Sequence, residues 1–196
     1  RITGIDIAQR SIDFARKITE GTEVEPLVTF RQGSVLELPV EAVEFDLVWS
    51  QDGFCHVPDR PRLLAECFRV LRPGGHLVFT DWLRGEFITP EELRAFCEAW
   101  SFPGVETLDS YPSLLASAGF EIVSQEEVGC EYAVAGDSES ISRGLRLTVL
   151  SYYRQGWGQN HIWMIRIPES LYTSCKCNWT IRYNYPVLPI NLCAKR

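Results

Sequence analysis

Several side chains in the first two thirds of the chain have the types needed to bind a small substrate and to move a proton. They are Gln51, Asp52, His56, Asp81, Trp82 and Tyr111. A carboxylate such as Asp81 can hold a cationic amine, whose methyl groups an indole such as Trp82 can face through cation–π contacts. A histidine such as His56 titrates near neutral pH and can relay a proton. The sequence therefore predicts His56 and Asp81 as catalytic residues and the other four as substrate-binding residues.

A structural interpretation competes with each of these roles. Asp52 and Asp81 are also suited to capping helices or closing loops, His56 to a loop hydrogen bond, and Tyr111 to packing. The choice depends on whether the surrounding elements bring the side chains to one place.

Residues 45–83 predict such an arrangement. They read as a buried strand from Phe45, a polar loop, an amphipathic helix and a second strand over 76–80 that ends at Asp81. Asp59 is expected to cap the helix, and Pro73-Gly74-Gly75 to end it. Ligands bind outside the carboxyl ends of parallel strands, so residues 50–56 and 81–82 are expected to lie on one rim.

The same block resembles the middle of class I S-adenosylmethionine-dependent methyltransferases, in the branch that acts on small molecules. The resemblance rests on S-Q-D after the first strand, H-V-P-D, the helix motif E-x-x-R-V-L-R-P-G-G and the strand L-V-F-T-D. The flanking segments ITGIDIAQRSIDFARK (2–17) and VTFRQGSVLELP (28–39) resemble the second strand with its helix and the third strand with its adenine loop. The later string Y-P-S-L-L-A-S-A-G-F-E-I-V also resembles the family.

The resemblance implies an α/β fold with a Rossmann-like, doubly wound, mostly parallel sheet and S-adenosylmethionine as cofactor. It places Asp6 on the ribose hydroxyls and Ile7 against adenine. The residues implied to bind the cofactor are Asp6, Ile7, Gly33, Ser34, Val35, Ser50 and Gln51. Ser34 stands where the family often has an acid, and a hydroxyl can still accept the hydrogen bond. Residue 1 already lies in the second strand, so the sequence is interpreted as a fragment that lacks the first strand and its glycine-rich loop.

The resemblance to sarcosine and dimethylglycine N-methyltransferases favours a small amine as methyl acceptor, such as sarcosine, dimethylglycine or a phosphoethanolamine-like compound. C- or O-methylation of a quinone or sterol-type compound is the first alternative. A nicotinamide-dependent oxidoreductase lacks support, since no Tyr-x-x-x-Lys pair appears. An inactive fragment or a non-enzymatic interaction module is the remaining alternative.

Composition fits one globular domain of 196 residues with 45% apolar residues. The net charge of −7 argues against a nucleic-acid surface, and no apolar stretch suits a membrane. Seven cysteines without framework spacing indicate reduced thiols in the cytoplasm, with Cys67 in the core. A metal site from His161, Cys175, Cys177 and Cys193 is disfavoured because paired spacing is missing.

The second half predicts a helix over 91–100 with Thr89 as cap, either covering the substrate or packed on the body. A helix over 111–118 ended by Gly119, a strand over 120–123 and a helix over 138–153 follow. The methyltransferase domain is expected to end at 153. Residues 154–196 are expected to be a divergent, irregular tail, without the strand pair that closes the family's sheet.

Overall fold

A computed structural model describes residues 1–84, 88–125, 162–165 and 192–195 of the chain. The predicted helix over 138–153 and the disfavoured metal ligands His161, Cys175 and Cys177 lie outside these residues. Within the described ranges, no cluster of three or more His, Cys, Asp or Glu side chains is arranged to hold a metal ion.

The chain begins with a strand-helix-strand unit made of β1 (Ile2–Asp6), α1 (Gln9–Thr19) and β2 (Val28–Gln32). The two strands run parallel, as a helical crossover between them requires. Ile12, Ala15 and Phe30 pack together between helix and sheet.

The middle of the chain repeats this pattern with β3 (Phe45–Gln51), α2 (Arg60–Val70) and β4 (Leu71–Thr80). Asp59 caps α2 as predicted, since its carboxylate accepts the Arg62 amide hydrogen at 2.9 Å. The predicted end at Pro73 is wrong, because α2 stops at Val70 and Leu71 already belongs to β4. The Pro-Gly-Gly run instead lies where the β3–β4 register shifts.

Glu66 of α2 is buried although it carries a charge. Glu66 accepts the Leu38 amide hydrogen at 2.8 Å and forms an ion pair with Arg69 at 2.8 Å. The hydrogen bond from Arg69 and the backbone hydrogen bond lower its pKa, against the effect of burial. Cys67 lies in the core as predicted.

The next elements are β5 (Leu83–Arg84), α3 (Pro90–Trp100), β6 (Glu106–Thr107), α4 (Ser110–Ser117) and β7 (Glu121–Gln125). The predicted Thr89 capping box is present at the start of α3. Gly119 has a φ of +96°, the left-handed conformation expected of a glycine that ends a helix. None of the described helices is long and apolar enough to cross a membrane.

Two short strands from the C-terminal part complete the sheet. They are β8 (Ile162–Ile165) and β9 (Leu192–Lys195), and the strand order is β2-β1-β8-β3-β4-β9-β7. Strand β8 runs antiparallel between β1 and β3, and the Met164 side chain is fully buried there. Within the tail that the sequence predicts to be irregular, these eight positions are strands. Four residues are too few to show a strand periodicity in the sequence, and their hydrogen bonds to neighbouring strands define them.

Candidate active site

A cleft opens at the carboxyl ends of β1 and β2, beside the turn that follows β3. It has a volume of about 120 Å³, and its lining is mainly apolar. The lining residues are Ile7, Ser34, Val35, Leu36, Gly53, His56, Val57 and Pro58. Its position agrees with the predicted rim, because parallel strands direct their carboxyl ends to the same edge of a sheet.

Asp6 and Ile7 are adjacent in sequence but have different surroundings. Asp6 ends β1 with its side chain buried, and its Oδ1 accepts the Ala8 amide hydrogen at 2.6 Å. Ile7 is 60% exposed and lines the cleft. Of the two, Ile7 is the residue that a bound molecule in the cleft would contact directly.

The segment after β2 forms the opposite wall. The Gly33 amide donates to the Asp6 carbonyl oxygen at 3.0 Å, which ties this segment to the end of β1. A Cβ at residue 33 would lie 2.6 Å from Pro39 Cγ, so only glycine fits without displacing the proline. Ser34 Oγ accepts the Leu36 amide hydrogen at 3.2 Å. This short turn places Ser34, Val35 and Leu36 along the cleft.

His56 lies on the cleft wall in a one-turn 3₁₀ helix, Phe54–His56. Its ring meets the Phe102 ring edge-on, with 4.8 Å between ring centres. Partial burial lowers the pKa of His56; a hydrogen bond with the Ser101 backbone opposes this effect, and the Arg60 charge adds to it. The imidazole is therefore neutral at neutral pH, the form that accepts a proton.

Asp52 follows β3 with a left-handed backbone, at a φ of 49°. Its Oδ1 accepts the Thr80 hydroxyl hydrogen at 2.9 Å. Removal from water raises the pKa of Asp52 to about 7; the Thr80 hydrogen bond opposes this rise, and the Asp81 charge adds to it. Asp52 therefore exchanges a proton near neutral pH, a property suited to an acid or a base.

Asp81 and Tyr111 are both buried and contact each other. The Tyr111 hydroxyl donates a hydrogen bond to Asp81 Oδ2. Burial raises the pKa of Asp81 to about 6, while the Tyr111 hydrogen bond and the Arg60 charge oppose the rise. Two residues predicted to face a substrate are thus brought together, but behind the cleft surface.

Trp82 lies at the centre of an aromatic cluster formed with α3 and with Phe102, two positions after the end of that helix. Its ring centre is 5.4 Å from that of Phe96, and 6.1 Å from those of Trp100 and Phe102. No residue of α3 is fully buried. The helix therefore covers Trp82 from outside and leaves its own outer side in solvent, an arrangement that agrees with both predicted roles of α3.

The structure brings together part of the predicted set. Ile7, Ser34, Val35 and His56 share the cleft. The predicted ligands that do not line it are Asp6, Gly33, Ser50, Gln51, Asp52, Asp81, Trp82 and Tyr111. Ser50 in particular is fully buried within β3, because strand alternation turns its side chain into the protein. The roles predicted for all of these residues stay predictions.

Sequence reasoning missed Thr80 and Arg60. Thr80 precedes Asp81 at a strand end, which was a usable signal for a hydroxyl near the rim. Arg60 lies three and four positions before the buried Leu63 and Leu64, so helical spacing was a usable signal for the inner face, although an arginine side chain is normally exposed.

Comparison with known proteins shows similarity to methyltransferases. The family model described as a methyltransferase domain matches residues 1–79. The chain is 34% identical over 132 residues to 27-O-demethylrifamycin SV methyltransferase of Amycolatopsis mediterranei (strain S699), covering 65% of this chain and 48% of the relative. It is 29% identical over 127 residues to sarcosine/dimethylglycine N-methyltransferase of Halorhodospira halochloris, covering 65% and 46%.

A solved structure shows the same fold. It is phosphoethanolamine N-methyltransferase 2 of Haemonchus contortus in complex with S-adenosyl-L-methionine, with a TM-score of 0.59 at 23% identity. The match covers 65% of this chain and 29% of that one. The chain spans about half the length of the curated relatives that it matches.

Proposed function

We propose that this chain, which carries part of a class I S-adenosylmethionine-dependent methyltransferase domain, takes part in methyl transfer from S-adenosylmethionine to a small molecule. The observation that carries the proposal is the cleft at the carboxyl ends of β1 and β2. It occupies the edge of the sheet where doubly wound folds bind ligands. The family match over residues 1–79 supports the same conclusion.

The lining of the cleft fits the adenine end of the cofactor. Ile7, Val35 and Val57 offer apolar surface to a flat ring, and Ser34 offers a hydroxyl that can accept a hydrogen bond from an amino group. Asp6 lies one residue from Ile7, and its carboxylate is suited to ribose hydroxyls after a local adjustment. When bound, the cofactor supplies a methyl group activated by a sulfonium.

The chain's own residues would orient the acceptor and accept its proton. His56 is neutral and lies on the cleft wall, so it is the better placed base. Asp52, with a pKa raised to about 7, is the second candidate. The buried Asp81 and Tyr111 would act from behind the cleft by holding the rim in shape.

For the acceptor we favour a small amine. The sarcosine/dimethylglycine N-methyltransferase relative supports this class, and so does the aromatic cluster around Trp82, which offers ring faces to a methylated ammonium group. Asp81 is not open to an amine in this arrangement, because Tyr111 donates to it and the side chain is buried. The negative charge that attracts a cationic amine would therefore have to come from Asp52.

O- or C-methylation of a less polar compound is the second candidate. The 27-O-demethylrifamycin SV methyltransferase relative is the more similar of the two by identity. The mainly apolar lining of the cleft also suits a compound without charge.

Calorimetry on this chain with S-adenosylhomocysteine tests the cofactor site. We expect binding that weakens in Ser34→Ala and is lost in Ile7→Asp, which puts a charge against the adenine position. Gln9→Asp, which changes an exposed residue two positions further on, serves as the control and should bind normally. A chain extended at its start by a strand and a glycine-rich turn is tested in parallel. Binding by the extended chain alone would support the fragment interpretation, and binding by neither chain would contradict the proposal and support a non-enzymatic interaction module.

Methylation assays distinguish the acceptors. The candidates are sarcosine, dimethylglycine and phosphoethanolamine on one side and an apolar quinol on the other. Activity confined to the quinol would contradict the amine assignment and leave the cofactor assignment intact.

A further inference from the structure

Arg60 is a buried cation in an unfavourable place. It is the first residue of α2, and only 4% of it is exposed. Burial of a guanidinium costs free energy unless an anion or hydrogen bonds compensate it. The first turn of a helix also carries the positive end of the helix dipole, which repels a cation. Helical spacing puts Arg60 on the same face as Leu63 and Leu64, three and four positions further on, and both of these side chains are fully buried.

The partners of Arg60 come from distant parts of the chain. Its Nη2 donates to the Gly104 carbonyl oxygen at 3.2 Å. Its charge also favours the ionised forms of Asp81 at the end of β4 and of Tyr111 in α4, lowering the pKa of each against the dominant effect of burial. Its Nε has no hydrogen-bond acceptor within the described part of the chain.

The Gly104 contact connects Arg60 to the cleft. Gly104 lies two residues after Phe102, whose ring packs edge-on against His56 at 4.8 Å and lies 6.1 Å from Trp82. The segment that Arg60 holds is therefore the one that supports the cleft histidine and the aromatic cluster. Loss of that hydrogen bond would release the segment after α3 from the start of α2.

We propose that Arg60 is a positioning residue of this site: through the Gly104 carbonyl its buried guanidinium holds the Phe102 segment against His56, and its charge acts on the buried Asp81 carboxylate. This proposal rests on the proposed function, because Arg60 positions a methyl-transfer site only if the cleft is that site. The contacts themselves are independent of any methyl transfer. A side chain that only filled space would need neither the charge nor the hydrogen bond.

Carboxyl titration by carbon-13 NMR on the 196-residue chain tests whether the Arg60 charge acts on Asp81. The groups around the Asp81 carboxylate are Arg60, Tyr111, Cys55, Asp52 and the Trp82 amide, and Asp81→Asn assigns its signal. In Arg60→Met, which keeps an unbranched stem and removes the charged group, we expect the Asp81 midpoint to rise by at least about one pH unit. Arg60→Lys should keep it near the value of the unmodified chain. Arg94→Gln, which removes an exposed arginine from α3, is the control.

The nuclear Overhauser contact between the His56 and Phe102 rings reports the positioning. We expect it to be lost in Arg60→Met and retained in Arg60→Lys and Arg94→Gln. A folded Arg60→Met with an unchanged Asp81 midpoint and an intact ring contact would overturn the proposal. These readouts stay valid even if the chain transfers no methyl group.

If Arg60→Met does not fold, the unmodified chain supplies the test. The guanidinium nitrogen-15 signals of Arg60 should shift with pH at the Asp81 midpoint, because the two charges interact. Signals that stay constant through that midpoint would refute the proposal.

Discussion

Thr80 and Asp52 bind each other through both backbone and side chain. The Asp52 amide donates to the Thr80 carbonyl oxygen at 3.1 Å, and the Thr80 hydroxyl donates to Asp52 Oδ1 at 2.9 Å. These bonds join the ends of β3 and β4, where the chain passes from sheet to rim. They also hold Asp52 in its left-handed conformation, which a non-glycine residue adopts at a cost.

We expect Thr80→Val to destabilise the chain. The substitution keeps the shape of the side chain but removes the donor to a largely desolvated carboxylate, a loss of about 1.5–3 kcal/mol in the free energy of unfolding. Urea unfolding at pH 7.5 measures the effect. Thr29→Val, on the exposed side of β2, should stay within about 0.5 kcal/mol of the unmodified chain. Equal effects at the two positions would show that the Thr80–Asp52 bond contributes little.

Stability should fall as pH rises through 7. The folded-state pKa of Asp52 is about 7, above its ordinary value of 3.8, so the native chain binds more protons than the unfolded chain between these values. The free energy of unfolding should then decrease by about 0.7 kcal/mol between roughly pH 6.5 and 7.5. This is half of the roughly 1.4 kcal/mol per pH unit that a fully protonated group would give, because Asp52 is on average half protonated in this range. His56 has the opposite effect on stability, because its folded-state pKa is lowered. Its contribution rises with pH up to about its ordinary pKa of 6.5 and does not change above it.

Asp52→Asn should flatten this pH dependence. Unfolding curves at three pH values measure it, with Asp13→Asn on the exposed face of α1 as the control. If the free energy of unfolding falls with pH as steeply in Asp52→Asn as in the unmodified chain, another group takes up the proton.

Gly33→Ala should weaken ligand binding at the cleft. The new methyl group would meet the Pro39 ring at 2.6 Å, and the ring lies in the turn that carries Ser34. We expect at least a tenfold loss of affinity for S-adenosylhomocysteine, about 1.4 kcal/mol, in calorimetry. Gly104→Ala has open space for its methyl group and keeps the backbone carbonyl to which Arg60 donates, so it serves as the control. Unchanged binding in Gly33→Ala would mean that displacement of the turn at Ser34 does not affect the affinity for the ligand.

Cys55 and Cys67 should resist alkylation. Both are buried, and burial raises the pKa of Cys67 to about 12 and that of Cys55 further, so neither forms the reactive thiolate at pH 8. Cys97 is partly exposed and should react first of the three. Iodoacetamide labelling with peptide mass spectrometry, in buffer and in urea, distinguishes them. Rapid labelling of Cys55 in buffer would contradict the burial of the turn that contains it.

Local signals in the sequence were sufficient for much of the framework. The Asp59 and Thr89 caps, the Gly119 helix end and the alternation of strands with helices all depend on residues within a few positions of one another. Because parallel strands end at the same edge, these elements also predicted the rim that carries the cleft, with His56 on it. Ile7, Ser34 and Val35 were implied by the family resemblance, and they line the same cleft.

The tertiary structure decided which of the rim residues face the cleft and which face each other. Asp81 pairs with Tyr111, Ser50 turns into the core, Arg60 donates to the Gly104 carbonyl oxygen, and β8 enters the sheet between β1 and β3. Each outcome depends on contacts between residues far apart in the chain, and the free energy of burying a charge or pairing a short strand depends on partners that local spacing does not specify. The residue types thus predicted the available chemistry, and packing determined where each group is placed.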